Sequence, residues 1–190
     1  MCGSDNRGST RTCRSCGASL AEPTTGGIAS QTLPPGTKLQ TGTYTIGKVL
    51  GQGGFGITYQ GGEPALRRAV AIKEFFPQGC MRQRTTVQPT GSVTADDYLS
   101  GLIRFLDEAR VLAKFEHPNI VRVHACFEEN STAYMVMELL DGSSLGSLLQ
   151  KHKRLPEQEA VSYIRAAGEG LAAVHSANLL HRDIKPDNVM

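Results

Sequence analysis

The order of hydrophobic patterns along the 190 residues predicts an α+β fold, with a sheet laid down first and helices after it. Strand-like runs cluster near residues 43–76 and again near 120–140. One long amphipathic run, LIRFLDEARVLAKF, is inserted between the two clusters, and beyond residue 140 the apolar spacing is helical. The count is five strands with one helix inserted, followed by helices.

Each element has its own signal. Residues 1–42 are rich in Gly, Ser, Thr and Pro with few large apolar side chains, so they bury too little surface to offset their ordering entropy and read as a flexible N-terminal segment. TYTIGKVLG is the first strand. After a glycine cluster, FGITYQGG alternates as the returning arm of a hairpin. AVAIKEFF is the third strand, with Val70 and Ile72 on one face and Ala71 and Lys73 on the other. From Pro77 to Asp97 the chain is polar and punctuated by Pro and Gly, which predicts an insertion loop with a short strand near Thr86 to Gln88.

In the long helix Leu102, Phe105, Leu106, Ala109, Leu112 and Ala113 form the apolar stripe. His117-Pro118-Asn119 ends it, because proline disfavours helix at the residue before it. IVRVHACFEE and TAYMVMELL are two strands joined by a turn at Asn130 and Ser131. SLGSLLQKH suits a short helix. A longer helix begins near Pro156, turns Val161, Ile164, Leu171 and Val174 inward, and ends around Ser176 to Asn178.

Composition narrows the function classes. With 39% hydrophobic and 20% charged residues the chain is ordinary globular protein of about one domain. A net charge of +2 is too small for a nucleic-acid surface, and KHKR at 151–154 reads as a solvated loop, so no nucleic-acid partner is expected. No stretch nears the ~20 apolar residues of a membrane span. The N-terminus lacks a signal-peptide pattern, and the chain reads as cytoplasmic. Five cysteines without secretory context are expected to be reduced thiols. Cys13 and Cys16, followed by Gly17, have the spacing of one zinc knuckle, but structural zinc takes four ligands and no second such pair follows. Two readings stay open, a degenerate zinc site and an unmetallated tail, with the weight on the tail.

Three stretches carry chemistry. LGQGGFGITY puts Gly51, Gly53, Gly54 and Gly56 in a turn between strands, where backbone N–H groups can approach an anion. A dinucleotide fingerprint would open a helix after the last Gly, and a P-loop would need Lys-Ser/Thr there. A strand follows instead, so these glycines would cover phosphates as a flap; a purely structural hairpin is the alternative. Lys73, on the face opposite Val70 and Ile72, can line a cleft and needs a counter-charge. At about 100° per residue Glu108 falls at one edge of the apolar stripe while Asp107 points nearly opposite, which makes Glu108 the candidate partner. In HRDIKPDNVM, Asp183 can accept a hydroxyl proton, Lys185 can neutralise a phosphate, and Asn188 can offer a neutral oxygen to a hard cation.

Taken together and in this order, GQGGFG, AVAIK, Glu108 in FLDEAR, HPNIV, YMVMELLDGSSL and HRDIKPDN resemble the protein kinases, specifically the bacterial serine/threonine kinases of eukaryotic type, from about Tyr44 to Met190. The resemblance implies that residues 43–190 are a protein-kinase-like domain: a complete five-stranded N-lobe with one long helix, plus the first helices of a truncated helical C-lobe. It implies that Gly51, Gly53 and Gly56 cover the ATP phosphates and that Lys73, paired to Glu108, holds the α- and β-phosphates. Met137 would gate the adenine pocket. Glu138 and Leu140 would offer backbone groups to adenine, with Ala71 and Val49 or Leu50 packed near it. Asp183 would be the base, Lys185 a phosphate contact and Asn188 a Mg2+ ligand, with His181 and Arg182 structural. One departure is Thr58, two places beyond Gly56, where the family usually has Val. Cys13 and Cys16 resemble the N-terminal zinc ribbons of some bacterial kinases.

The implied reaction is γ-phosphoryl transfer from ATP to a Ser/Thr hydroxyl of a protein substrate. No Asp-Phe-Gly and no activation segment occurs in the 190 residues. The expectation is therefore a fragment of a longer reading frame that is not an efficient kinase alone and exposes the apolar face of its last helix. A nucleotide-binding pseudokinase and a truncated interaction module are the rival readings.

Overall fold

The structure, a computed structural model, describes residues 31–190. Cys2, Cys13 and Cys16 lie outside the described residues, and with them the zinc question. A six-stranded antiparallel sheet runs in the order β1 (Lys38–Leu39), β2 (Tyr44–Gly53), β3 (Gly56–Glu63), β4 (Arg68–Phe75), β8 (Thr132–Glu138), β7 (Val123–Glu129). Its five longer strands are those the sequence predicts. The sixth, β1, is a two-residue pairing of Lys38 with Thr45 and Leu39 with Tyr44.

β4 explains most of the architecture. It is flanked on both sides, with Thr58 opposite Lys73 and Tyr59 opposite Ile72 on β3, and Met135 opposite Lys73 and Val136 opposite Ile72 on β8. A strand paired on both edges has both faces to cover, and period two divides its side chains between them. Ala71, Lys73 and Phe75 share one face, where helix α1 (Ala95–Leu112) lies: the Phe75 ring meets Tyr98 at 5.4 Å and Phe105 at 5.6 Å. Val70, Ile72 and Glu74 share the other face, and all three are fully buried.

Part of that second face is covered by the segment that the sequence predicts as an insertion loop. Residues 80–89 form a hairpin of β5 (Cys80–Gln83) and β6 (Thr86–Pro89), whose Arg82 and Val87 are buried. The strand expected near Thr86 to Gln88 is present; its partner β5 was not foreseen, because CMRQ has no apolar alternation strong enough to mark it. α1 also starts several residues earlier than the hydrophobic stripe indicates. Thr94 caps it, accepting from the Asp97 N–H at 3.1 Å, and Tyr98 is buried one turn in.

Beyond the sheet come α2 (Leu145–His152) and α3 (Glu157–Ser176). α1 stops at Leu112, five residues before the His117-Pro118-Asn119 expected to end it, and α3 packs against the later turn: a Cβ on Gly170 would stand 2.8 Å from the Asn119 carbonyl oxygen, so only glycine permits this approach. The inward placement of its apolar stripe holds in part. Leu171 and Val174 are half-buried, whereas Val161 and Ile164 are 50% and 63% exposed, because no described element packs on that end of the helix. No helix among the described residues is long and apolar enough to cross a membrane.

Candidate active site

The glycine-rich turn is the tip of the β2–β3 hairpin. Added Cβ atoms on Gly51 and Gly53 would meet nothing within 4 Å, so this stretch of backbone is open to a ligand. Gly56 is different: a Cβ there would collide with the Glu74 carbonyl oxygen, which makes Gly56 a packing glycine. Phe55, at the tip, is 80% exposed. The tip is nevertheless tied down on one side, because the Phe55 carbonyl accepts from the Phe76 N–H at 3.3 Å and the Gly54 carbonyl from the Gln78 N–H at 3.0 Å.

Lys73 sits on the α1 face of β4, half-buried, beside Thr58 of β3 and Met135 of β8. Its Nζ lies 5.7 Å from the centre of the Phe105 ring. The expected ion pair with Glu108 is absent among the described residues. Phe105, clustered with Phe75, is what α1 presents to Lys73, and Glu108, three residues further on, is exposed. Ala71 is nearly buried opposite Met137, and the Glu138 N–H donates to the Arg122 carbonyl at 2.9 Å where β8 ends. Leu140 follows at the exit from the sheet, and Val49 and Leu50 are exposed on β2.

The C-terminal loop builds its own cluster. Lys185 Nζ lies 2.9 Å from Asp183 Oδ2, and Asn188 Nδ2 donates to the Asp183 carbonyl at 2.8 Å and to its Oδ2 at 2.9 Å. Asn188 spends its amide hydrogens on Asp183, which leaves its Oδ1 for a hard cation. The Lys185 ammonium, and after it the Asn188 amide, hold the Asp183 carboxyl below its ordinary range. His181 Nδ1 accepts from the Asp183 N–H at 3.3 Å, and Arg182 takes a left-handed φ of 63°, so both shape the loop. The loop is moored to α2: the Leu145 N–H donates to the Val189 carbonyl at 2.7 Å, and Asp187 packs so closely on Gly146 that a Cβ there would collide with its carboxylate.

A glycine-rich turn at the tip of a hairpin, a lysine on the α1 face of the third long strand, and an Asp-Lys-Asn cluster beyond the helices occur in that order along one sheet-then-helix frame. Residues 44–190 match the family model for the protein kinase domain. The chain belongs to the protein kinase family. Among relatives, it is 33% identical to the serine/threonine-protein kinase pkn2 of Myxococcus xanthus over 161 residues, covering 83% of this chain and 17% of that protein. It is 32% identical to the serine/threonine-protein kinase PknA of Mycobacterium tuberculosis over 155 residues, covering 79% and 32%. A solved structure of PpkA-294 in its apo form superposes with a TM-score of 0.72 at 32% identity, covering 84% of this chain and 57% of that one. The chain thus spans a third or less of the length of these curated relatives.

One set of residues in this kinase domain escaped the sequence reading. Glu74, next to Lys73, is buried on the outer face and accepts from Arg82 Nη2 at 2.6 Å, from the Tyr59 hydroxyl at 2.9 Å and from the Tyr134 hydroxyl at 3.0 Å. Burial, and then the Glu74 charge, push both phenols above their ordinary range, so they stay protonated as donors. A signal was present: the alternation that buries Val70 and Ile72 also buries Glu74, and a buried carboxylate demands a cation.

Proposed function

We propose that the protein carrying this kinase domain transfers the γ-phosphoryl group of ATP to Ser/Thr hydroxyls of protein substrates. The observation that carries this reading is the Asp183 carboxylate held by Lys185 and Asn188, because a carboxylate kept ionised is available to take the acceptor's proton. In this reading Asp183 orients the hydroxyl and receives its proton as the bond from that oxygen to the γ-phosphorus forms and the bond from the γ-phosphorus to the β,γ-bridging oxygen breaks, releasing ADP. Lys185 offsets charge on the transferred group. Asn188 Oδ1 holds Mg2+, which when bound offsets phosphate charge. Gly51, Gly53 and Gly56 line the phosphates, and Leu50, Ala71, Met137, Glu138 and Leu140 surround adenine. Lys73 holds the α- and β-phosphates; for Glu108 to join it, α1 must shift so that Phe105 no longer occupies that place.

The family's second metal-holding carboxylate, in Asp-Phe-Gly, is not among these 190 residues, so turnover is proposed for the whole protein, acting in the cytoplasm, and not for residues 1–190 alone. The test is transfer of labelled phosphate from Mg-ATP by the full-length protein and its Asp183→Asn variant. We expect kcat to fall by about 10²–10⁴-fold in the variant. Equal rates in the two proteins would sink the reading, and nucleotide binding without any transfer would favour the pseudokinase.

A further inference from the structure

The insertion between β4 and α1 holds the β3 side of the glycine-rich turn directly and reaches its β2 side through Gln31. On the β3 side, the Phe76 and Gln78 N–H groups hold the Phe55 and Gly54 carbonyls. On the β2 side, Gln52, between Gly51 and Gly53, donates through Nε2 to Gln31 Oε1 at 2.8 Å. Gln31 is itself bound through its carbonyl to Arg82 Nε at 2.8 Å. Arg82 then closes the circuit onto Glu74 at 2.6 Å and onto the Thr85 carbonyl at 2.9 Å, with its guanidinium 5.0 Å from the Phe76 ring. The hairpin is anchored independently at its far end, where the Val87 N–H donates to the Asn130 carbonyl at 2.9 Å.

We propose that this insertion is a fixed brace for the nucleotide flap, with Gln78 and Arg82 as positioning residues for the phosphate-facing turn. A peptide unit is planar and trans, so pinning the Gly54 carbonyl toward Gln78 directs the N–H of the same unit, that of Phe55, away from the insertion. The brace sets the direction of a flap amide before any phosphate arrives, which lowers the ordering cost of binding. An unbraced glycine-rich tip would pay that cost on each binding event.

The inference rests on the kinase reading for its functional consequence, and its test separates the two. Pro77 to Cys80 is a turn closed by the Cys80 N–H to Pro77 carbonyl bond of 3.2 Å with Gly79 at φ 84°, so proline suits the Gln78 position. Gln78→Pro therefore deletes the N–H that holds Gly54 and leaves the turn intact, while Gln78→Ala deletes only the side chain. In the full-length protein, Gln78→Pro is expected to speed hydrogen exchange at the Phe76 N–H, which donates to the Phe55 carbonyl, and raise KM for Mg-ATP, each by about 3–10-fold, the worth of one hydrogen bond. kcat should stay within about twofold, and Gln78→Ala should change neither quantity. Gln31→Ala, which frees Gln52 without touching the hairpin, should raise both by about twofold and serves if the proline variant fails to fold. Equal exchange in the proline and alanine variants overturns the brace, as does a fall in kcat at constant KM. If the wild-type protein neither binds Mg-ATP nor transfers phosphate, the kinase reading falls, and the exchange comparison still decides whether the turn is braced.

Discussion

Lys73 and Glu74 are neighbours on β4 and occupy opposite environments. Lys73 is half-buried above an aromatic ring on the face where nucleotide chemistry is proposed. Glu74 is fully buried on the outer face, with three donors around it, and no buried side-chain nitrogen or oxygen among the described residues lacks a partner. The same contrast separates Glu74–Arg82, with side chains 0% and 2% exposed, from Asp183–Lys185, at 61% and 49%. Charges that must meet a substrate stay near water and lean on local partners. Charges that hold the frame are removed from water, and the frame then depends on every partner being present.

The sharpest way to break that comparison is to remove one buried partner. Arg82→Met leaves the Glu74 carboxylate buried with two phenols and no cation, and is expected to destabilise the domain by about 3–5 kcal/mol in urea unfolding. Adding Glu74→Gln removes the unpaired buried charge and should recover part of that loss, although its one amide oxygen keeps only one of the two phenols, since Tyr59 donates to Oε2 and Tyr134 to Oε1. Additive losses in the double variant would mean that the pair is not coupled and that the contrast with Asp183–Lys185 is wrong.

A smaller effect distinguishes two glycines that a motif treats alike. Gly56→Ala must push β3 from the Glu74 carbonyl and should cost about 1–3 kcal/mol of stability. Gly51→Ala meets open space and should stay within about 0.5 kcal/mol. Thermal unfolding of the two variants decides it, and equal shifts would remove the division of the turn into packed and open glycines.

This division marks what the sequence could and could not reveal. The order of strands and helices was legible because Val70, Ile72, Phe105 and Leu106 sit in strong local periods. Asp183, Lys185 and Asn188 were legible because they lie within one short loop and meet each other there. Glu74 with Arg82, and Gly54 with Gln78, were not, because each pairing depends on a hairpin whose own strands carry a weak pattern. The Lys73–Glu108 pair rests on helix angle and on the family resemblance, and neither supplies the local packing. Angle gives a direction around α1; it does not give the packing that puts Phe105 against Lys73.

The smallest expected effect concerns protonation in the exposed cluster. Lys185, and after it Asn188, favour the charged form of Asp183, so its carboxyl titrates below the ordinary range. In its proposed role as base Asp183 acts when unprotonated, hence activity should persist as pH falls until that lowered value is passed. Lys185→Met removes the larger of the two favourable contacts and should move the Asp183 titration, and with it the acidic limb of kcat/KM, to higher pH. Asn188→Ala should move it in the same direction by less, since Lys185 remains. Following the Asp183 carboxyl carbon by NMR reads the shift even where loss of Lys185 lowers turnover. A titration unmoved in both variants would mean that solvent, and not these two neighbours, sets the charge of Asp183, and the exposed cluster would then be a geometric arrangement with no electrostatic coupling of its own.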